Sequence, residues 1–172
     1  MTLFLIAVFT CVAHAARVEQ GQPLIKARQA VTFYRSATWR WQDKRLARHT
    51  QSKFNERRTR SLPYIRSLAK LWQRRDKAAR VQYQRWFSAL YSKWACIHRG
   101  EAAWNANTGN GYYGGLQMDL TFQRSYNGRA VRRYGTADKW PIREQLIAAE
   151  RAYRSGRGYS PWPNTARACG LL

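Results

Sequence analysis

The sequence predicts a mainly α protein, in which a small α+β domain in the C-terminal half is preceded by basic amphipathic helices. Apolar residues recur at intervals of three, four or seven over long stretches, which is the repeat of one helix face. A cluster of Gly and Asn over residues 105–115 interrupts this repeat, as an irregular loop or hairpin would. With 172 residues, 45% of them hydrophobic, the chain has room for one packed domain and appended segments.

The first half of the chain is predicted to be helical. A long amphipathic helix is expected to lead into the C-terminal half, and a shorter one is expected from Ala30 to Trp41. A polar, basic connector is expected over Thr50 to Pro63. The residues that carry the longer helical repeat are Leu68, Trp72, Ala79, Tyr83, Trp86, Leu90, Trp94 and Ile97.

Positive charge is concentrated in this first half. Residues 17–95 contain 20 Lys and Arg against 4 Asp and Glu, a net charge of +16, whereas residues 96–172 contain 11 against 5, a net charge of +6. Such charge predicts attraction to polyanions without selecting one. Residues 17–85 are therefore interpreted as a helical N-terminal region or linker, either a solvated spacer or an electrostatic tether to an anionic cell envelope.

Residues 1–16 have the pattern of a secretory signal peptide. They carry no Asp, Glu, Lys or Arg, are mostly apolar, and end in Ala13-His14-Ala15, a small-x-small cleavage pattern. The apolar stretch is shorter than the roughly 20 residues that cross a bilayer, so no transmembrane span is expected after cleavage. We therefore expect a secreted protein, and the alternative is a retained N-terminal anchor.

Loss of the signal peptide would remove Cys11 and leave two cysteines, Cys96 and Cys169. In an exported protein an even pair can form a disulfide, and the alternative is two independent buried thiols. The histidines are scattered at positions 14, 49 and 98, and no Cys-x-x-Cys pair occurs. We therefore expect no metal site and no cofactor.

Beyond residue 135 the sequence predicts one more helix and an irregular tail. The helix is expected to have Asp138 near its start and Pro141 in its first turn, and to end at Gly156 or Gly158. Residues 159–164 contain two prolines and are expected to be non-helical.

Glu101 is the only acidic residue between Asp76 and Asp119, and it lies six residues before a loop that reads Asn-Thr-Gly-Asn-Gly-Tyr-Tyr-Gly-Gly-Leu-Gln. Glycoside cleavage needs an acid that holds its proton near neutral pH, whereas a solvated glutamate with a pKa of about 4.3 has lost it. A cleft walled by apolar and aromatic groups disfavours the anion and raises that pKa. Glu101 is thus the candidate general acid and base. The alternative is a surface residue at a helix end.

The composition of this loop suits a glycan-binding cleft. Gly109, Gly111, Gly114 and Gly115 permit positive φ and close approach of the backbone to a sugar, and aromatic rings present flat faces to pyranose CH groups. Alternatively, Gly114 and Gly115 close a hairpin that serves only the fold. Candidate substrate-binding residues are Trp104, Asn107, Tyr112, Tyr113, Gln117, Asp119, Thr121 and Trp162, of which Trp104, Tyr112 and Tyr113 are expected to wall the cleft around Glu101.

Two of these candidates have competing structural roles. Asp119 could be the second carboxylate of a glycosidase, or the N-cap of a helix predicted over Leu120 to Tyr134. Trp162, which stands between two prolines, could line the cleft or cover the core.

Several of these motifs together resemble the transglycosylase-like domain of actinobacterial resuscitation-promoting factors, over about residues 86–172. The resemblance implies a lysozyme-like fold, peptidoglycan as substrate, Glu101 as the catalytic glutamate, and a disulfide from Cys96 to Cys169. In the family the Glu usually follows the Cys directly and precedes Ser-Gly-Gly, whereas Glu101 lies five residues after Cys96 and precedes two alanines. The matching segments are Trp94 to Glu101, Trp104 to Gln117, Arg143 to Gln145, Pro161 to Pro163, and Cys169.

These observations predict a secreted cell-wall enzyme that cleaves the β-1,4 linkage between MurNAc and GlcNAc in peptidoglycan strands, as a lytic transglycosylase or a muramidase. If Asp119 has no catalytic part, the muramyl C6 hydroxyl can act as nucleophile and give an anhydro sugar. The alternative function is a noncatalytic cationic protein that binds wall glycan. Interleaved Trp and Arg also suit a nucleic-acid binder, but export argues against that partner.

Overall fold

The structure is a computed structural model that describes residues 3–52 and 59–172, with side chains from residue 21 onwards. The chain divides into two compact units, an N-terminal unit, Met1–Trp86, and a C-terminal unit, Phe87–Leu172. Helix α1 spans Leu3–Lys44 and helix α2 spans Leu62–Glu101. The shorter helix predicted over residues 30–41 is therefore part of a much longer one.

The N-terminal unit has a core made by α1 and the first turns of α2. The helical repeat predicted from Leu68 onwards is present, and its apolar face is buried, with Trp72 fully enclosed. Arg28 of α1 donates from Nη2 to the carbonyl oxygen of Thr59 at 2.8 Å, just before α2 begins. The core cluster consists of Ala27, Val31, Ile65, Leu68 and Trp72.

The chain turns away from α1 around Thr50. The Trp39 indole donates to the Thr50 carbonyl oxygen at 2.9 Å, and the Gln42 side chain bonds both the hydroxyl and the amide of Thr50, at 2.7 and 3.0 Å. The connector was predicted to extend to Pro63, and this was wrong because Pro63 already lies in α2. Proline is well accommodated in the first turn of a helix, where its missing N–H costs nothing, so α2 already begins at Leu62.

The C-terminal unit packs three further helices and a small hairpin against the last part of α2. The predicted mainly α, α+β fold class is confirmed. The predicted helix from Leu120 is also confirmed. The further elements are strand β1 (Tyr112–Tyr113), strand β2 (Met118–Asp119), and helices α3 (Leu120–Tyr134), α4 (Ile142–Ala152) and α5 (Pro163–Ala168).

Trp94 is the centre of the C-terminal core. Its side chain is fully buried, with ring centroids 5.0 Å from Trp162 and 5.3 Å from Tyr159. Its indole N–H donates to Glu150 of α4 at 3.3 Å. Burial raises the pKa of Glu150, but hydrogen bonds from Lys93 and other donors outweigh this effect and leave the pKa below its usual value.

A disulfide joins Cys96 of α2 to Cys169 of the C-terminal tail, a separation of 73 residues, as predicted. It ties the helix that ends at Glu101 to the segment that follows α5.

Two local predictions in the C-terminal unit were wrong. Asp138 does not start the fourth helix, because it lies in a separate 3₁₀ turn; α4 begins at Ile142 with Pro141 as its N-cap. Residues 159–164 are not wholly non-helical either, because Pro163 opens α5. Proline has a φ preset for the first helical position, so the second proline favours a helix start there.

No helix in the described part of the chain has an apolar stretch long enough to span a bilayer. The predicted signal peptide, residues 1–16, falls outside the residues whose side chains are described, and it stays a prediction.

Candidate active site

Glu101 is the last residue of α2, and its side chain is half-buried. The Thr165 hydroxyl of α5 donates a hydrogen bond to Glu101 Oε1. Immediately before the glutamate, α2 comes so close to α5 that a Cβ on Gly100 would overlap the Thr165 methyl group. The carboxylate is therefore held where two helices touch.

The disulfide makes a second contact between the same two segments, one helical turn away from the first on each of them. Cys96 lies four residues before Gly100, and Cys169 lies four residues after Thr165. Because residues four apart share a helix face, the Gly100–Thr165 contact and the disulfide join the same two surfaces. The bridge thus fixes the position of the Glu101 carboxylate without contacting it.

The predicted loop folds as a hairpin around a buried glutamine. Gln145 of α4 is fully buried, accepts from the Gly115 amide at 2.9 Å and donates to the Trp104 carbonyl oxygen at 2.9 Å. Gly114 has a φ of 75°, and a Cβ on Gly115 would lie 2.6 Å from the Trp104 ring. Both glycines are thus required by the fold, as the hairpin interpretation proposed.

The segment between Glu101 and the hairpin is also tightly anchored. The His98 and Trp104 rings stack with centroids 3.8 Å apart, and His98 Nδ1 lies 3.1 Å from the Gly115 carbonyl oxygen. Asn107 accepts from the Gly109 amide at 3.3 Å and forms a β-bridge with Tyr113. Trp104, Asn107 and Tyr113 are thus used in shaping this segment.

A polar cleft of about 370 Å³ lies beside the hairpin. Five of the predicted substrate-binding residues line it, namely Tyr112, Gln117, Asp119, Thr121 and Trp162. The structure does not bring Glu101, Trp104, Asn107 or Tyr113 into this lining. Sequence reasoning missed the other lining residues, which are Met118, Phe122, Ser125, Tyr126, Arg157, Ser160 and Pro161.

Asp119 and Trp162 each have the structural role that was weighed for them. Asp119 Oδ1 accepts from the Phe122 amide at 2.7 Å and caps α3. Trp162 is 4% exposed and donates to the Leu116 carbonyl oxygen at 2.6 Å, so it belongs to the core. Both residues also border the cleft, so each side chain has a structural role and lines the candidate site as well.

Helix α5 and its N-cap provide one residue of the cleft lining and the residue that hydrogen-bonds Glu101. Trp162 is its N-cap residue, and Thr165 follows three positions later. Thr165 was not predicted, because it is separated from Glu101 by 64 residues and no periodic pattern links the two. In the described part of the chain, no group of three or more His, Cys, Asp or Glu side chains could hold a metal ion.

Comparison with known proteins agrees with this architecture. Residues 88–165 match the sequence model of a family described as transglycosylase-like domain. Residues 88–165 are therefore similar to a transglycosylase-like domain. The motif-based resemblance is thereby confirmed at the level of the family.

Proteins similar to this part of the chain include several resuscitation-promoting factors. Rpf1 of Corynebacterium glutamicum is 37% identical over 68 residues, which cover 40% of this chain and 34% of that protein. RpfE of Mycobacterium tuberculosis is 37% identical over 76 residues, 43% of this chain and 41% of that protein. RpfB of Mycolicibacterium smegmatis is 35% identical over 72 residues, 41% of this chain and 19% of that protein. The chain thus spans less than half of each relative. No solved structure gives a significant match.

Proposed function

We propose that the transglycosylase-like domain cleaves peptidoglycan strands at the β-1,4 linkage between MurNAc and GlcNAc, with Glu101 as general acid and base. The observation that carries the proposal is the half-buried carboxylate of Glu101, which accepts a hydrogen bond from Thr165 of α5. The N-cap of the same short helix, Trp162, lines the cleft. The family match and the resuscitation-promoting factors among the relatives support a wall glycan as substrate.

Thr165 donates its hydrogen bond to Oε1 of Glu101, so Oε2 is the oxygen that would exchange a proton with the substrate. In the first step Glu101 would give its proton to the bridging oxygen as the bond from C1 to that oxygen breaks. In the second step the resulting carboxylate would take a proton from the attacking hydroxyl as that oxygen bonds to C1. The same group therefore serves as acid and then as base.

The role of Asp119 favours intramolecular attack. Its Oδ1 caps α3, and this structural role accounts for the carboxylate without a part in the hydrolytic scheme. With Glu101 alone, the muramyl C6 hydroxyl is the nucleophile and the product is a 1,6-anhydro sugar. Mass spectrometry of the released muropeptides tests this point, because the anhydro end is lighter by one water than the hydrolysed end.

Zymography on peptidoglycan gels, followed by rates on soluble strands, tests the catalytic role. We expect Glu101→Gln to lower the cleavage rate by about 10²- to 10⁴-fold, because the amide cannot donate or accept the proton. Asp43→Asn is the matched control, since it removes an exposed carboxylate of the N-terminal unit. Equal clearing by wild type and Glu101→Gln would remove Glu101 from the mechanism and leave the noncatalytic glycan-binding function.

We also propose that residues 1–16 direct export and that the N-terminal unit holds the protein on anionic polymers of the cell envelope. The support is its excess of cations and a groove beside its core that is lined by Lys26, Arg66 and Lys70 over alanine and proline side chains.

A further inference from the structure

One end of the cleft is cationic. Arg157 lines it together with Tyr126, Ser125 and Ser160. The guanidinium carbon lies 5.7 Å from the centroid of the Phe122 ring, another lining residue. Hydrogen bonding to Ser155 and then to Arg157 lowers the pKa of the Tyr126 hydroxyl, which marks this end of the cleft as favourable for negative charge.

The backbone holds Arg157 in place. It ends a wide helical turn, Tyr153–Arg157, and it stands between Gly156 with a φ of 95° and Gly158 with a φ of 55°. The Arg157 carbonyl oxygen accepts from the Ser160 amide at 3.1 Å. Glycine suits the positions on both sides of Arg157, because other residues adopt a positive φ only at an energetic cost.

Within the described part of the chain, Arg157 forms no ion pair with a carboxylate. In the C-terminal unit, Glu150 pairs with Lys93 and Arg154, and Glu144 pairs with Arg143. The one carboxylate that lines the cleft with Arg157 is Asp119, which caps α3.

The other lining residues restrict the class of ligand. Tyr112, Phe122 and Trp162 offer aromatic surface for sugar rings, whereas Ser125, Tyr126 and Ser160 add hydroxyl groups to the lining that contains Arg157. In an intact strand the lactyl carboxyl of each MurNAc is in amide linkage to the peptide stem, so the sugars themselves are neutral and would leave the charge on Arg157 unanswered. An oxyanion attached to the strand would accept the guanidinium N–H groups in pairs.

We propose that Arg157 binds an anionic substituent of the glycan strand, so that the cleft recognises the substituent together with the sugars. This inference rests on the proposed function, because it takes the cleft as the site of the wall glycan. The substituent is either a carboxylate of the peptide stem or a phosphate that links another polymer to the sugar. Both offer two oxygens that can accept paired N–H groups of the guanidinium.

The test measures binding of full-length protein to three forms of purified cell walls: untreated, with the peptide carboxylates converted to amides by a carbodiimide and ammonium, and freed of phosphate-linked polymers by hydrofluoric acid. All proteins carry Glu101→Gln, so that no strand is cleaved during the measurement. Arg157→Gln removes the charge, Arg157→Lys keeps it without the paired geometry, and Arg129→Gln removes an exposed charge of α3 that does not line the cleft.

We expect Arg157→Gln to weaken binding to untreated walls about tenfold and Arg157→Lys to weaken it less, with Arg129→Gln unchanged. The effect should disappear on the walls that lack the recognised group, which identifies it as peptide carboxylate or phosphate. An unchanged affinity of Arg157→Gln, an equal loss on all three walls, or an equal loss in Arg129→Gln would overturn the inference. Because binding is measured without cleavage, its failure is separate from failure of the proposed catalysis.

Discussion

The two units of the chain are stabilised in different ways. The N-terminal unit, with 19 Lys and Arg against 4 Asp and Glu, relies on apolar side chains of two helices and on cations over aromatic rings, such as Lys44 Nζ, 4.5 Å from the Trp41 centroid. The C-terminal unit, with 12 against 5, adds a disulfide, a buried glutamine and glycines that admit close backbone contacts. The packing of the N-terminal unit leaves a charged surface, whereas the constraints in the C-terminal unit fix individual side chains and backbone groups.

The two proposed functions account for this difference. Attraction between a basic surface and a polyanion is long-ranged and tolerates imprecise geometry. Proton transfer requires reacting atoms within hydrogen-bond reach. The covalent and backbone constraints are accordingly found around Glu101, Thr165 and the hairpin.

The largest expected effect concerns the disulfide. Replacing Cys96 and Cys169 with serine should lower the free energy of unfolding of the C-terminal unit by about 4 kcal/mol, because a loop of this length no longer restricts the unfolded chain. The N-terminal unit should unfold as before. Denaturant unfolding, followed by hydrogen exchange in each unit, measures both.

Cys96→Ser and Cys169→Ser alone are the controls for this substitution, since each breaks the bridge and should give the same loss. Equal destabilisation of both units would show that they unfold as one, and the contrast drawn above would fail.

The next effect concerns Thr165. Thr165→Val keeps the side-chain shape at the contact with Gly100 but removes the hydroxyl that bonds Glu101. We expect kcat to fall about tenfold, with KM nearly unchanged and an altered pH profile, because the carboxylate loses its orienting partner.

Thr165→Ser restores the donor and should recover most of the rate. If instead KM rises while kcat stays constant, Thr165 acts in substrate binding and does not position the acid.

The smallest effect concerns the charge of the N-terminal unit. Lys70→Gln should weaken binding to a soluble anionic wall polymer by about two- to threefold at low salt, since one exposed charge pair contributes about 0.5 kcal/mol. Cleavage of a short, soluble muropeptide should not change. Titrations at several salt concentrations provide the measurement.

Arg129→Gln, which removes an exposed charge of the C-terminal unit, is the control for this change. An equal loss of polymer affinity in both variants would mean that the whole surface contributes, and that the N-terminal unit has no special role.

Much of the fold could be predicted because its signals are local. The repeat along α2 and the cap at Asp119 each lie within a few residues of what they specify. The two prolines near the C-terminus were misread, because a proline that ends one segment can start a helix in the next, as Pro163 does.

The candidate site was predicted only in part. Residue type and composition indicated Glu101 and the hairpin. Five of the proposed contacts line the cleft, whereas Glu101 does not, and its catalytic role stays a prediction. Thr165 and Arg157 were not found, because each owes its position to residues distant in sequence or to backbone angles that composition does not reveal.

By itself, the sequence determined the helical class and the unequal distribution of charge, since periodicity and composition are properties of the chain before it folds. It also favoured a disulfide between Cys96 and Cys169, and the structure contains that bridge. Only the tertiary structure decided that Thr165 holds Glu101 and that Arg157 stands at one end of the cleft. These contacts join segments far apart along the chain, and their geometry depends on how closely α2 and α5 approach at Gly100 and on the angles of two glycines.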